Sequence, residues 1–104
     1  MTIKIFPNVK GSPPGKLAEA ELHFTEEDGA LAGLKLIGFA VWERRAGPTS
    51  RTVTFPARQY SVNGERRSFA LLRPANVGME AQNRVRDLIL EAYADSEAEA
   101  AATV

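Results

Sequence analysis

Arg58-Gln59-Tyr60-Ser61-Val62-Asn63-Gly64-Glu65-Arg66-Arg67-Ser68-Phe69-Ala70-Leu71-Leu72 reads as two strands joined by a two-residue turn. Asn-Gly is the favoured pair for a type I′ turn, because both central residues need positive φ and these two tolerate it best. The predicted strands are Arg58–Val62 and Glu65–Leu72, and Pro74 closes the second. A hairpin so defined sets an antiparallel theme, and the neighbouring segments extend it.

Upstream, Thr52–Phe55 is a short strand ended by Pro56, preceded by a polar turn over Arg44–Ser50. Leu31–Arg45 is the longest strand candidate, and its centre is apolar in both phases. Leu34, Leu36, Ala40 and Trp42 point one way, while Ile37, Phe39 and Val41 point the other. Gly38 inside it marks a bulge or a place where another backbone comes close. Between Lys16 and Thr25, Ala18, Ala20, Leu22 and Phe24 alternate with Glu19, Glu21 and His23, the pattern of a half-buried strand. Leu17 departs from it only at the start. Glu26-Glu27-Asp28-Gly29 supplies a turn, Thr2–Phe6 is a short strand ended by Pro7, and Lys10–Gly15 is a loop.

Downstream, one amphipathic helix is predicted within residues 79–94, with Ala81, Val85, Leu88, Ile89, Ala92 and Tyr93 forming its apolar stripe. Residues 95–104 offer no packing face and read as an acidic, disordered tail. The expected fold is therefore α+β: an antiparallel β-sheet of about five strands with one C-terminal amphipathic helix, forming a single domain over residues 1–94. One helix covers one face of such a sheet. The two-faced strand at 34–42 still needs a second cover, and a second copy of the chain is the simplest supplier, so a homodimer is expected.

Composition narrows the function classes. The 104 residues, 44% hydrophobic and 25% charged, fit one ordinary globular domain. The longest apolar run, Leu36–Trp42, falls far short of the ~20 residues needed to cross a bilayer, and the N-terminus lacks a signal-peptide pattern. With no cysteine there is no disulfide framework or thiolate chemistry. A cytoplasmic protein without membrane association is expected.

Thirteen basic and thirteen acidic side chains cancel, yet they are segregated. Residues 35–86 hold ten cations (Lys35, Arg44, Arg45, Arg51, Arg58, Arg66, Arg67, Arg73, Arg84, Arg86) against Glu43, Glu65 and Glu80. Residues 87–104 hold five acids and no base. Nine of the ten central cations are arginine, whose planar fork suits phosphate and stacks on bases.

Catalytic patterns are sparse. His23 is the sole histidine, with neither a nucleophile nor metal-ligand spacing beside it. Glu26, Glu27 and Asp28 lack a calcium-loop pattern, and no phosphate loop or nucleophile elbow is present. No enzyme activity, cofactor, metal or small-molecule substrate is expected. What remains is a basic, partly aromatic hairpin, the combination that tracks phosphates and stacks bases. Arg58, Arg66, Arg67 and Arg73 are the first candidates for phosphate contact, with Arg44, Arg45 and Arg51 next. Tyr60 is equally readable as a stacking or a packing residue, whereas Phe55 and Phe69 are read as core.

Phe55-Pro56-Ala57-Arg58, Asn63-Gly64, Phe69-Ala70-Leu71-Leu72-Arg73-Pro74 and Val85-x-x-x-Ile89-x-x-x-Tyr93, with Gly33–Phe39 before them, resemble the stage V sporulation protein G (septation protein) family over about residues 16–94. The resemblance implies a small dimeric β-sheet domain with a C-terminal helix and a DNA- and RNA-binding regulatory role in bacteria. It places nucleic-acid contacts at Arg58, Arg66 and Arg67. Ala57 stands where the family usually has serine, the Lys10–Gly15 loop is longer, and the C-terminal end is more acidic. A second reading is a protein-interaction module whose basic face or sheet edge meets an acidic protein. On the nucleic-acid reading Asp95, Glu97 and Glu99 are expected to compete with phosphate for the basic patch.

Overall fold

The computed structural model describes residues 1–44 and 50–102. Among them, six strands precede one long helix: β1 (Thr2–Pro7), β2 (Lys16–His23), β3 (Lys35–Glu43), β4 (Arg51–Thr54), β5 (Ala57–Val62), β6 (Glu65–Ala70) and α1 (Glu80–Ala102). A 3₁₀ segment over Glu26–Leu31 takes the place of the turn expected between β2 and β3. Every pairing is antiparallel, so the α+β class holds. The strands form two sheets where one was expected. β1-β2-β3-β4 is a four-stranded meander, and β5-β6 is a separate hairpin.

Alternation along β2 turns Ala18, Ala20 and Leu22 inward, where they meet Phe39 and Val41 of β3, Val53 of β4, and Ile89 and Tyr93 of α1. Ile3, Ile5, Leu36, Phe55, Val85 and Leu90 close the margins of this core. Its largest buried side chains are Phe39, Ile89 and Val41. Each contributes roughly 1.5–3 kcal/mol by leaving water.

Strict alternation sets Leu36 and Phe39 on opposite faces, but the register corrects this. Leu22 pairs with Leu36 and Ala20 with Phe39, so β3 spends one more residue than β2 over the same span. The extra residue falls at Ile37-Gly38, and both Leu36 and Phe39 reach the core. Gly38 adopts φ +105°, and a Cβ there would stand 2.9 Å from Cβ of buried Pro56. The two readings of Gly38, bulge and close approach, are both realised.

The outer face of the sheet is polar over β2, where His23 Nε2 lies 2.9 Å and Lys35 Nζ 3.3 Å from Glu21 Oε1. Over β3 it is less so. Trp42 is half-buried and donates from Nε1 to Thr54 Oγ1 at 2.9 Å, while Ile37 remains more than half exposed.

Helix α1 packs Ile89 and Tyr93 fully and Val85 and Leu90 partly, but Leu88 of the predicted stripe stays exposed. The helix also runs to Ala102, through residues expected to be a disordered tail. Two causes are visible. Four of residues 98–102 are alanine, the strongest helix former. Glu97 Oε2 also accepts from Arg51 Nη2 at 3.0 Å, which supplies the anchor that apolar periodicity could not reveal. No helix among the described residues is long and apolar enough to cross a membrane.

Candidate nucleic-acid interface

Pro56 ends β4 and turns the chain away from the sheet, and Leu71 N closes the base of the hairpin by donating to Pro56 O at 2.8 Å. Asn63 (φ +51°) and Gly64 (φ +80°) then make the type I′ turn that their identities require. Every residue from Ala57 to Phe69 is exposed. The hairpin projects from the body instead of packing on it.

A two-residue turn fixes which side chains share a face. Arg58 lies opposite Phe69, Tyr60 opposite Arg67, and Val62 opposite Glu65. Directly opposed residues of an antiparallel pair project to the same side, so one face presents Arg58, Tyr60, Val62, Glu65, Arg67 and Phe69. The other presents Gln59, Ser61, Arg66 and Ser68. On the first face the Tyr60 and Phe69 rings lie 5.7 Å apart, tilted by 53°, each 40% exposed. They form a small aromatic platform with one guanidinium opposite each ring.

These facts redistribute the sequence candidates. Arg58, Tyr60 and Arg67 come together. Arg66 points to the opposite side, so the adjacent pair Arg66-Arg67 does not act as one patch. Arg67 Nη2 touches Glu65 Oε2 at 3.3 Å, an exposed pair that costs little to exchange for a phosphate. Arg58 and Arg66 make no ion pair among the described residues. Arg73 sits at the hairpin base, beside a narrow apolar cavity of about 100 Å³ lined with Phe55, Leu72, Pro74 and Val85. Arg44 is exposed at the end of β3, its N–H bonded to Ser50 O at 3.0 Å. Arg45 lies outside the described residues.

Arg51 belongs to the fold rather than to this face. Its guanidinium pairs with Glu97, lies 5.2 Å from the Tyr93 ring centroid, and has its Nε buried. Phe55 packs edge-on against Phe39 at 5.2 Å, as expected of a core residue. Phe69 does not, and its assignment to the core is corrected. The turn contained the signal that finds it: counting outward from Asn63-Gly64 pairs residue 69 with 58 and sets it beside Tyr60. Arg86, absent from the first set of candidates, lies over Phe55 at 5.6 Å and bonds Asn83 Oδ1 at 2.6 Å, near the same end of the helix.

The chemistry available on this face is stacking and charge pairing. Among the described residues no group of three or more His, Asp or Glu side chains is placed to hold a metal ion. No protein-family model, curated protein or solved structure matches the chain.

Proposed function

We propose that this protein is a small, homodimeric, non-enzymatic regulatory protein of the bacterial cytoplasm that binds DNA or RNA through one face of the β5–β6 hairpin. The observation that carries this reading is the exposed Tyr60–Phe69 platform, with Arg58 and Arg67 on the same face. Each base stacked on a ring contributes about 1–3 kcal/mol, and each phosphate neutralised adds salt-dependent affinity. Core aromatic residues do not remain 40% exposed side by side without a partner. The resemblance to septation proteins supports the same role. Exposed Ile37, on the less polar part of the outer sheet face, supports a second copy as the missing cover.

A second reading, a protein-interaction module, is favoured by the same exposed rings and by the two unpaired edges of the hairpin. Polymer selectivity separates the two. Labelled single-stranded DNA, duplex DNA and RNA are titrated by fluorescence anisotropy, with heparin of matched charge as competitor. The nucleic-acid reading predicts micromolar or tighter binding to at least one of the three, loss of that binding in Tyr60→Ala/Phe69→Ala, and weak competition by heparin. Binding to none at low salt, or heparin competing as an equal, overturns it in favour of an acidic protein partner.

A further inference from the structure

Among the described residues, no ion pair joins the cations of the hairpin to the anions of the helix end. The hairpin carries Arg58, Arg66 and Arg67 against Glu65. The last three turns of α1 carry Glu91, Asp95, Glu97 and Glu99 with no cation. Of these four, Glu97 alone forms an ion pair among the described residues. Glu99 stands in the last turn of the helix, where the macrodipole already disfavours negative charge.

Within one chain the base of the hairpin and the acidic helix end are anchored at opposite ends of α1. Gln82 donates from Nε2 to Leu72 O at 3.3 Å, which marks the helix turn beside the hairpin base. Glu97 is fixed to β4 at the other end. At 1.5 Å per residue, the fifteen steps between them span roughly 22 Å of rigid helix. Of the acids expected to compete for the basic patch, Glu97 does engage one of its members, Arg51, within the chain, while the hairpin arginines pair with none of them among the described residues.

We propose that the acidic end of α1 in one copy docks on the Arg58/Tyr60/Arg67 face of the hairpin in a second copy and competes there with nucleic acid. Charge complementarity selects the occupant. The helix end offers carboxylates at positions 91, 95 and 99, four apart and so along one side, and the hairpin face sets Arg58 and Arg67 against Glu65, a net charge of +1. The contact is self-complementary, since each copy supplies both halves, and it limits binding at high protein concentration. This rests on the nucleic-acid reading of the hairpin.

The test uses the full chain and a short labelled oligonucleotide that wild type binds. Glu91→Gln/Asp95→Asn/Glu99→Gln is compared with a control that removes three acids elsewhere, Glu19→Gln/Glu26→Gln/Glu27→Gln. The proposal expects the helix variant to bind several-fold tighter than wild type and the control to change far less. A hairpin-dead chain, Arg58→Glu/Arg67→Glu, is then added to wild type in excess. It retains the acidic helix end and should weaken oligonucleotide binding several-fold. The same chain also carrying the three helix substitutions should not. Equal tightening in helix variant and control, or no inhibition by the hairpin-dead chain, overturns the proposal while leaving the nucleic-acid reading standing. Absence of oligonucleotide binding by every chain, the helix variant included, overturns both.

Discussion

The four-stranded sheet and the β5–β6 hairpin use the same alternation of side chains and reach opposite ends. In the sheet, one phase of β2 and β3 is buried under α1 to the point that Ala18, Val41 and Ile89 have no exposed surface. In the hairpin, both phases are exposed, and the rings of Tyr60 and Phe69 pack on each other. An isolated two-stranded ribbon is marginal in water, so its shape here depends on the Asn63-Gly64 turn and the Pro56–Leu71 closure at its base. The difference shows where stability ends and recognition begins. The sheet holds the molecule together, and the hairpin holds out what the core does not need.

The sharpest way to break this comparison is to make the same kind of truncation in both regions. Phe39→Ala should cost about 3–5 kcal/mol, a large part of a domain's total stability, in urea unfolding. Phe69→Ala should stay within about 0.5 kcal/mol of wild type while abolishing platform stacking. Comparable losses at the two sites would mean that the hairpin is part of the core. At the hinge between the regions, Gly38→Ala should cost about 1–3 kcal/mol, because it adds positive-φ strain and a contact with Pro56. Gly64→Val at the tip should disturb only the hairpin, reducing oligonucleotide binding with little change in the unfolding midpoint of the sheet. A midpoint drop as large as that of Gly38→Ala would show the two regions to be one cooperative unit.

The smallest expected effect is electrostatic and belongs to the sheet. Asp28 Oδ2 accepts from Thr25 N at 2.7 Å and lies 3.1 Å from the amino group of Met1, which together hold its carboxyl below the usual range. Glu21 is likewise held low by its hydrogen bond with His23, helped by Lys35. A lowered folded pKa means that the unfolded chain takes up protons first as pH falls. These groups therefore stabilise the fold above the ordinary carboxylate range, and the contribution is lost as pH drops through their lowered values. Asp28→Asn should flatten the acid limb of a stability-versus-pH curve. An unchanged limb would remove Asp28 from the account.

Much of this was legible in the sequence because local chemistry decided it. Asn63-Gly64 specified the turn, prolines 7 and 56 ended strands, and alternation over Ala18–Leu22 located the buried face. What escaped depended on distant partners. The helix extension to Ala102 rests on Arg51 meeting Glu97 across 46 positions. The shift at Gly38 rests on Pro56 approaching it. The separation of the hairpin from the sheet rests on the chain's direction after Pro56, which no periodicity encodes. The hairpin face was legible in principle: the turn fixes the register, and the register divides Arg66 from Arg67.

That division is the most direct test of the account. Salt-dependent oligonucleotide binding is measured for wild type, Arg58→Gln/Arg67→Gln and Arg66→Gln. The face model predicts that the double variant lowers the salt slope by about two and weakens binding by about tenfold or more, whereas Arg66→Gln leaves the slope nearly unchanged. A loss in Arg66→Gln equal to or greater than that of the double variant would contradict it.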